Sequence, residues 1–236
     1  MTACPWESNC ECHWGSREEL ALLKIPDVVL DPDLLHRTWS VPDWQDHAAV
    51  MRRVLPQLTE ALARGEALHT EQVGLSLKRA GWHDWPEEQS AAVSEFLRAW
   101  WDHVLGTASQ PAPDVFEICV TASGTVTPWL AAWESRRSPV ADRHLLDAVE
   151  GWVYELEGDR LPFHWWYFYD NEAAVVGELN AWLASHAPAR VVAQGAPLAL
   201  VERVRRLGMP FQLRWDSRAA ALTSSPPSPA PPRGTP

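Results

Sequence analysis

The stretch that decides the fold is residues 84–106, DWPEEQSAAVSEFLRAWWDHVLG, which has the signals of a long amphipathic helix. Pro86 is suited to the first helical position, and Glu87 and Glu88 place negative charge at the positive end of the helix dipole. Gly106 marks the end of the helix. At helical spacing the pattern predicts one buried face, made of Ala92, Val93, Phe96, Leu97, Trp100, Trp101 and Leu105.

Helix start and stop signals recur along most of the chain. Ser16 and Glu19 form a capping-box pattern, Asp31-Pro32 opens a second helix, and Asp43 precedes a third that Gly65 ends. Pro56 lies inside the third helix and predicts a kink or a split near Val54. Two further helices are predicted over about 114–123 and 128–136, and only 115–120 and 165–169 look compatible with short strands. The sequence therefore predicts an all-α fold of about ten helices, with a lead-in over 1–15, one domain over 16–222 and a disordered Pro/Ser-rich tail over 223–236.

Tryptophan recurs near the predicted starts of three helices. Trp44, Trp85 and Trp129 lie 41 and 44 residues apart, and each is followed by a pair of alanines. Intervals of this size are typical of HEAT and armadillo repeats, so the pattern predicts a right-handed stack of helix pairs. The alternative is coincidence in a chain that is rich in alanine and contains 15 tryptophans.

Residues 30–37, LDPDLLHR, and 43–58, DWQDHAAVMRRVLPQL, resemble a group of uncharacterised bacterial proteins with a short Cys-rich start. The similarity extends from about Cys10 to Leu62, roughly a quarter of the chain. Val50 stands where that group commonly has an aromatic residue, and the tyrosine usual after the first helix is absent. The resemblance implies a HEAT-like helical fold and brings no established activity, so it assigns no functional residue.

Charge and composition exclude several classes of partner. The net charge of −11 repels phosphate backbones, which disfavours nucleic-acid binding and docking on anionic membranes. The sequence shows no signal peptide and no apolar stretch long enough to span a bilayer, so we expect a cytoplasmic protein. In that reducing compartment its four cysteines are expected to be free thiols or metal ligands.

Four potential zinc ligands lie near the start of the chain: Cys4, Cys10, Cys12 and His13. Thiolates and imidazoles are the ligands that Zn²⁺ prefers, and a short lead-in gains much from such a clip. However, the C-x5-C-x-C-H spacing differs from the usual knuckle, and adjacent Cys12 and His13 point apart in an extended chain. Either a zinc site or a set of reduced thiols fits this pattern, so the expected cofactor is none or zinc.

A dense aromatic run spans residues 164–170, HWWYFYD. Its members His164, Trp165, Trp166, Tyr167 and Tyr169 offer rigid area with polar tips, which is suited to a ligand groove. Packing between helices also explains this run, and we regard that interpretation as the stronger one.

Two further clusters are better explained by structure than by chemistry. Asp43, Asp46 and His47, like Asp84, Glu87 and Glu88, combine groups found at metal or acid–base sites, but capping and helix-dipole effects account for their positions. A basic group of arginines is expected to pair with the protein's own acids; its members are Arg203, Arg205, Arg206, Arg214 and Arg218. Cys119 lies among apolar residues and is expected to be an inert core thiol.

No nucleophile elbow, phosphate-binding glycine loop, dinucleotide fingerprint or zinc-protease motif occurs in the sequence. We therefore predict a non-catalytic interaction scaffold or adaptor of the bacterial cytoplasm that binds a protein or peptide. The alternative is a zinc-binding protein or metal-dependent enzyme that uses the N-terminal cysteines. The sequence assigns neither an oligomeric state nor a particular partner.

Overall fold

The computed structural model describes residues 15–40, 44–66, 71–163 and 171–214, and within these ranges every regular element is a helix. A single-turn 3₁₀ helix, Trp82–Asp84, precedes α5. The α-helices are α1 Arg17–Leu22, α2 Pro32–Ser40, α3 His47–Arg64, α4 Glu71–Arg79, α5 Glu87–Gly106, α6 Ala112–Ser123, α7 Thr127–Ser135, α8 Pro139–Glu157, α9 Glu172–Ala193 and α10 Leu198–Arg206. The predicted all-α class is confirmed for this part of the chain.

Local capping chemistry sets several helix ends as predicted. Ser16 accepts a hydrogen bond from the Glu19 backbone N–H, and the Glu19 carboxylate accepts one from the Ser16 N–H, which completes the capping box. Gly65 ends α3 in the left-handed conformation, with φ of 71°. A side chain disfavours that conformation, so glycine at this position fixes where the helix stops.

The predicted start of the third helix was wrong. The helix predicted to begin at Asp43 begins at His47, because the Asp46 side chain accepts the hydrogen bond from the Ala49 N–H and acts as the cap. Of the kink or split predicted at Pro56, the split does not occur, because α3 continues from His47 to Arg64. The helix predicted over about 114–123 is confirmed as α6, and residues 115–120, which also looked compatible with a strand, lie within it with both faces covered.

The buried face of α5 largely matches the predicted one. Five of the seven predicted residues are buried: Val93, Leu97, Trp100, Trp101 and Leu105. Ala92 is exposed and Phe96 is only partly buried, whereas Val104, which the prediction omitted, is fully buried. The buried stripe therefore runs from Val93 to Leu105, and it includes Val104 in place of Ala92 and Phe96.

The helices pack in two alternating series. The even-numbered helices contact one another in chain order, α2 with α4, α4 with α6, α6 with α8, and α8 with α10. On the odd-numbered side, α5 contacts α7 and α7 contacts α9. The chain therefore alternates between the two series, with each even helix from α2 to α8 followed by an odd helix.

The most extensive helix contact is between α4 and α6, and Gly74 lies in it. A Cβ atom at this position would lie 2.8 Å from the carbonyl oxygen of Ile118 and 2.9 Å from the Cβ of Thr121. Real Cβ atoms do not approach other atoms so closely. Glycine therefore permits the two backbones to pack at this distance.

Aromatic rings fill the centre of the even and odd series. The Trp101 and Trp133 rings meet edge to face with centroids 5.2 Å apart, and Phe116 lies 5.3 Å from Trp152. Phe163 and Trp182 extend the same cluster. Such pairs add roughly 0.5–1.5 kcal/mol each beyond area burial. These tryptophans are buried, so they are core residues.

The predicted tail over 223–236 and nearly all of the predicted lead-in lie outside the described residues. The division into lead-in, domain and tail stays a prediction.

Candidate functional site: a groove between α2 and α3

A groove of about 1140 Å³ lies between α2 and α3. Its third wall is the loop 26–30 before α2, and the start of α5 contributes Pro86 and Gln89. This volume exceeds the range of about 300–1,000 Å³ of most small-molecule pockets. The groove therefore has room for a ligand larger than a single metabolite.

Two side chains of α3 hold the loop wall in place. Arg53 donates hydrogen bonds to the carbonyls of Ile25 and Val28 at 2.9 and 2.8 Å. Gln57 accepts from the Leu30 N–H at 2.8 Å and donates to the Val28 carbonyl at 3.0 Å. These four bonds fix the loop against α3, so the groove is formed without a ligand.

Trp39 lines the groove, and its indole N–H is an unused hydrogen-bond donor in the described part of the chain. The side chain is 3% exposed, and its indole N–H has no hydrogen-bond partner among the described residues. The His36 ring meets it edge to face at 5.4 Å. Leaving a buried donor unpaired costs roughly 1–3 kcal/mol, which is a reason to look for an acceptor supplied from outside the chain.

Arg52 supplies a second unsatisfied donor. Its guanidinium lies over the Trp85 ring, 5.6 Å from the centroid, and its buried Nε has no hydrogen-bond partner in the described part of the chain. Pro56 has no N–H, so the Arg52 carbonyl receives no hydrogen bond from that position of the helix. The groove is therefore lined by two residues, Arg52 and Trp39, that each hold a buried donor without a partner in the described part of the chain.

The rim of the groove is charged and mainly acidic. Arg64 is held by Glu66 at 2.8 Å and Glu60 at 3.6 Å, and the hydrogen bond that Arg64 donates to Glu66 raises the pKa of Arg64. The exposed carboxylates of Asp27 and Asp33 also line the groove. With Arg64 neutralised, the remaining cations of the lining are Arg53, whose guanidinium binds the loop carbonyls, and Arg52, whose Nε has no partner in the described residues.

Several predicted site residues lie outside the described residues. These are the zinc candidates Cys4, Cys10, Cys12 and His13 and the aromatic run with His164, Trp165, Trp166, Tyr167 and Tyr169. Both sites stay predictions. Within the described ranges, no group of three or more His, Cys, Asp or Glu side chains is arranged to hold a metal ion.

Asp46 and His47 have structural roles. Asp46 caps α3, and the His47 Nε2 lies 2.9 Å from the Ser76 carbonyl oxygen and 3.1 Å from the Ser76 hydroxyl. A carbonyl only accepts hydrogen bonds, so Nε2 carries the proton and is not a base for that hydroxyl. Ser76 is also fully buried, which excludes it as an accessible nucleophile. In the second cluster, Glu87 and Glu88 lie exposed in the first turn of α5. Asp84, predicted as a cap, lies instead in the 3₁₀ helix, and Pro86, predicted at the first helical position, is the cap residue of α5.

The arginine group pairs with the protein's own acids, as predicted for its described members. Arg203 binds both oxygens of Glu157, which raises the pKa of Arg203, and Arg206 lies 3.8 Å from the same carboxylate. Arg205 faces Glu202 at 3.6 Å. Arg214 pairs with Asp159 and donates to the Leu156 carbonyl. Arg218 lies outside the described residues.

Cys119 is a free, fully buried thiol in the core. Burial strongly raises the pKa of Cys119, because the thiolate is poorly solvated there. The predicted inert core thiol is confirmed in its position and its environment.

Comparison with protein-family models, with curated proteins and with solved structures found no match to this chain. Among the described residues, no helix combines the length and the apolar character needed to cross a bilayer. Inference about function therefore depends on the groove and on the packing of the helices.

Proposed function

We propose that this protein is a non-catalytic binding protein built from HEAT-like helix pairs, and that the α2–α3 groove holds an extended segment of a partner protein. The observation that carries the proposal is the preformed groove with buried, unpaired donors on Trp39 and Arg52. A partner segment brings carbonyl or carboxylate acceptors for such donors. The cytoplasm of a bacterium remains the expected compartment.

The tryptophan repeat supports the helical-repeat part of the proposal. Trp44 donates to the Thr38 carbonyl in α2, Trp85 to the carbonyl of Ala80 after α4, and Trp129 to the hydroxyl of Ser123 in α6. In each case an indole just before an odd helix, or in its first turn for Trp129, bonds to the last turn of the preceding even helix or to the residue after it. An equivalent contact in three successive pairs is what a structural repeat requires. A right-handed stack, and the HEAT-like fold that the bacterial resemblance implies, belong to the same proposal.

The chemistry of the groove favours a peptide over other ligands. Its acidic rim and the net charge of −11 oppose nucleic acids. Its volume suits several residues in extended conformation, and the unpaired donors of Trp39 and Arg52 suit main-chain carbonyls. Exposed apolar area at the mouth, where Val29 is 84% exposed, adds a contact for an apolar side chain.

Site-specific photo-crosslinking in cells tests this proposal. A photoreactive amino acid replaces Val29 in the groove, and in a control it replaces Tyr154, which is 62% exposed on α8. We expect one protein partner to be captured at position 29 and not at position 154. Equal capture at both positions, or none at position 29, argues against the groove as the binding surface.

A further inference from the structure

We propose that Arg52, Trp39 and the N-terminus of α5 form an anchor for the C-terminal carboxylate of the partner segment. This inference rests on the proposed function and specifies which group of the partner the groove recognises. Three independent features of the groove support it, and each supplies positive charge or an N–H donor.

The first feature is the state of Arg52 in an acidic protein. The chain has 31 acidic residues against 20 lysines and arginines, and most of the partly or fully buried arginines bind a carboxylate or a backbone carbonyl. Arg52 is half-buried and stacks on Trp85, yet no ion pair of the described residues includes it. A guanidinium held against a ring and left without an anion is suited to bind a carboxylate through two parallel hydrogen bonds.

The second feature is the unpaired indole of Trp39. Trp44, Trp85 and Trp129 all donate their indole N–H to an acceptor of the chain itself. Trp39 is equally buried and lines the groove, but its N–H has no acceptor among the described residues. A carboxylate bound at Arg52 introduces oxygen atoms into the groove that Trp39 lines.

The third feature is the start of α5, which adjoins Arg52 through Trp85. This helix is 20 residues long, and its cap residue, Pro86, has no side chain that can bond to the first backbone N–H groups. Pro86 and Gln89 both line the groove. The free N–H groups and the dipole of a long helix favour a negative charge at this end.

These features select a carboxylate over a phosphate, and a chain end over a side chain. Glu87 and Glu88 beside the site, with the acidic rim, repel a dianion more strongly than a monoanion. The anchor lies where Trp85 and Pro86 stand beside the first turns of α3. A peptide that ends at this point need not pass the start of α5, whereas an internal acidic residue requires the chain to continue.

Three fluorescein-labelled peptide pools test the anchor on the full chain by fluorescence polarisation. Each pool has two lysines followed by five positions drawn equally from alanine, valine, leucine, phenylalanine and serine. The first pool ends in a free carboxylate, the second in a carboxamide, and the third in a carboxamide with one internal aspartate. We expect the free acid to bind roughly ten-fold or more tightly than either amidated pool.

The variant Arg52→Gln should lose this preference for the free acid, whereas Arg98→Gln, at an exposed arginine on α5, should keep it. In the intact protein the indole resonance of Trp39, identified by its loss in Trp39→Phe, should shift with the free-acid pool and stay in place with the carboxamide pool. Equal binding of the free-acid and carboxamide pools, equal binding of the aspartate pool, or no binding of the free acid overturns the anchor. Capture of one partner at position 29 together with any of these results leaves the proposed function standing and removes only the anchor.

Discussion

The indole N–H of Trp129 donates to the hydroxyl of Ser123 at 3.0 Å, and that hydroxyl donates in turn to the Cys119 carbonyl at 2.7 Å. This contact therefore joins the first turn of α7 to the side chain of the last residue of α6. Trp44 and Trp85 make comparable contacts with the ends of α2 and α4. The regular spacing of these tryptophans thus reflects a repeated connection between an even helix and the odd helix after it.

Replacing Trp129 by phenylalanine should lower the free energy of unfolding by about 2 kcal/mol, because a buried hydrogen bond is lost together with part of the ring volume. Trp39→Phe is the matched control, since Trp39 is equally buried but its N–H has no partner in the described residues. We expect it to cost about 1 kcal/mol or less. Urea denaturation measures both, and equal losses would show that the hydrogen bond to Ser123 contributes nothing.

Signals carried by neighbouring residues were read correctly from the sequence. Ser16 with Glu19, and Gly65 with its φ of 71°, act within one helical turn, so the residue types alone identify them. Asp43 and Asp46 show the limit of such reasoning. Both are suitable caps three residues apart, and which of them begins α3 depends on how the helix packs.

The α2–α3 groove was not predicted, because no local pattern marks it. Its lining comes from three separate stretches, 26–39, 49–66 and 86–89, which only the packing of α2, α3 and α5 brings together. The unpaired state of Arg52 and Trp39 is likewise a property of the folded arrangement. A half-buried arginine inside an amphipathic helix looks, in sequence, like any residue of the solvated face.

Gly74→Ala should destabilise the protein by about 1–3 kcal/mol, although alanine is the better helix former. The new Cβ would lie 2.8 Å from the Ile118 carbonyl, so α4 and α6 must move apart. Gly177→Ala is the control, since no atom lies within 4 Å of a Cβ at that position of α9. There the same change should stabilise by up to about 1 kcal/mol. Thermal unfolding of both variants gives the two signs, and a stabilised Gly74→Ala would contradict the close packing of α4 on α6.

The capping box at α1 should make stability depend on pH. The Ser16 N–H at 2.7 Å, then the Arg37 guanidinium at 2.5 Å, bind the Glu19 carboxylate and lower the pKa of Glu19. A lowered pKa in the folded state means that this stabilisation is complete above the ordinary glutamate pKa and is lost as the pH falls through the lowered value.

The measurement is the urea midpoint of the protein and of Glu19→Gln between pH 7 and pH 3. The protein should exceed the variant at pH 7, and the difference should vanish toward pH 3. Glu18→Gln removes an exposed acid of the same turn that makes neither hydrogen bond, and we expect a smaller effect at every pH. A Glu19→Gln difference that does not change with pH would show that the charge of Glu19 is not what stabilises the cap.

Arg190 joins three helices, and its removal should be the most damaging of these changes. This arginine of α9 is 5% exposed. It donates to Asp142 in the first turn of α8 at 2.5 Å, to the Trp133 carbonyl of α7 at 3.1 Å and to the Arg136 carbonyl at 3.0 Å. Arg190→Met keeps most of the volume but leaves a partly buried carboxylate and two carbonyls without their donor. We therefore expect a loss of about 2–4 kcal/mol in the free energy of unfolding.

The control is an exposed arginine that follows Asp142, the carboxylate partner of Arg190, in the sequence. Arg143 pairs with Asp147 at 3.2 Å on the surface of α8, where both side chains are largely solvated. Arg143→Met should change stability by less than about 0.5 kcal/mol, because solvent screens an exposed pair of this kind. Chemical denaturation of both variants separates the two cases. If Arg190→Met costs no more than Arg143→Met, the junction of α7, α8 and α9 is held by the aromatic core alone.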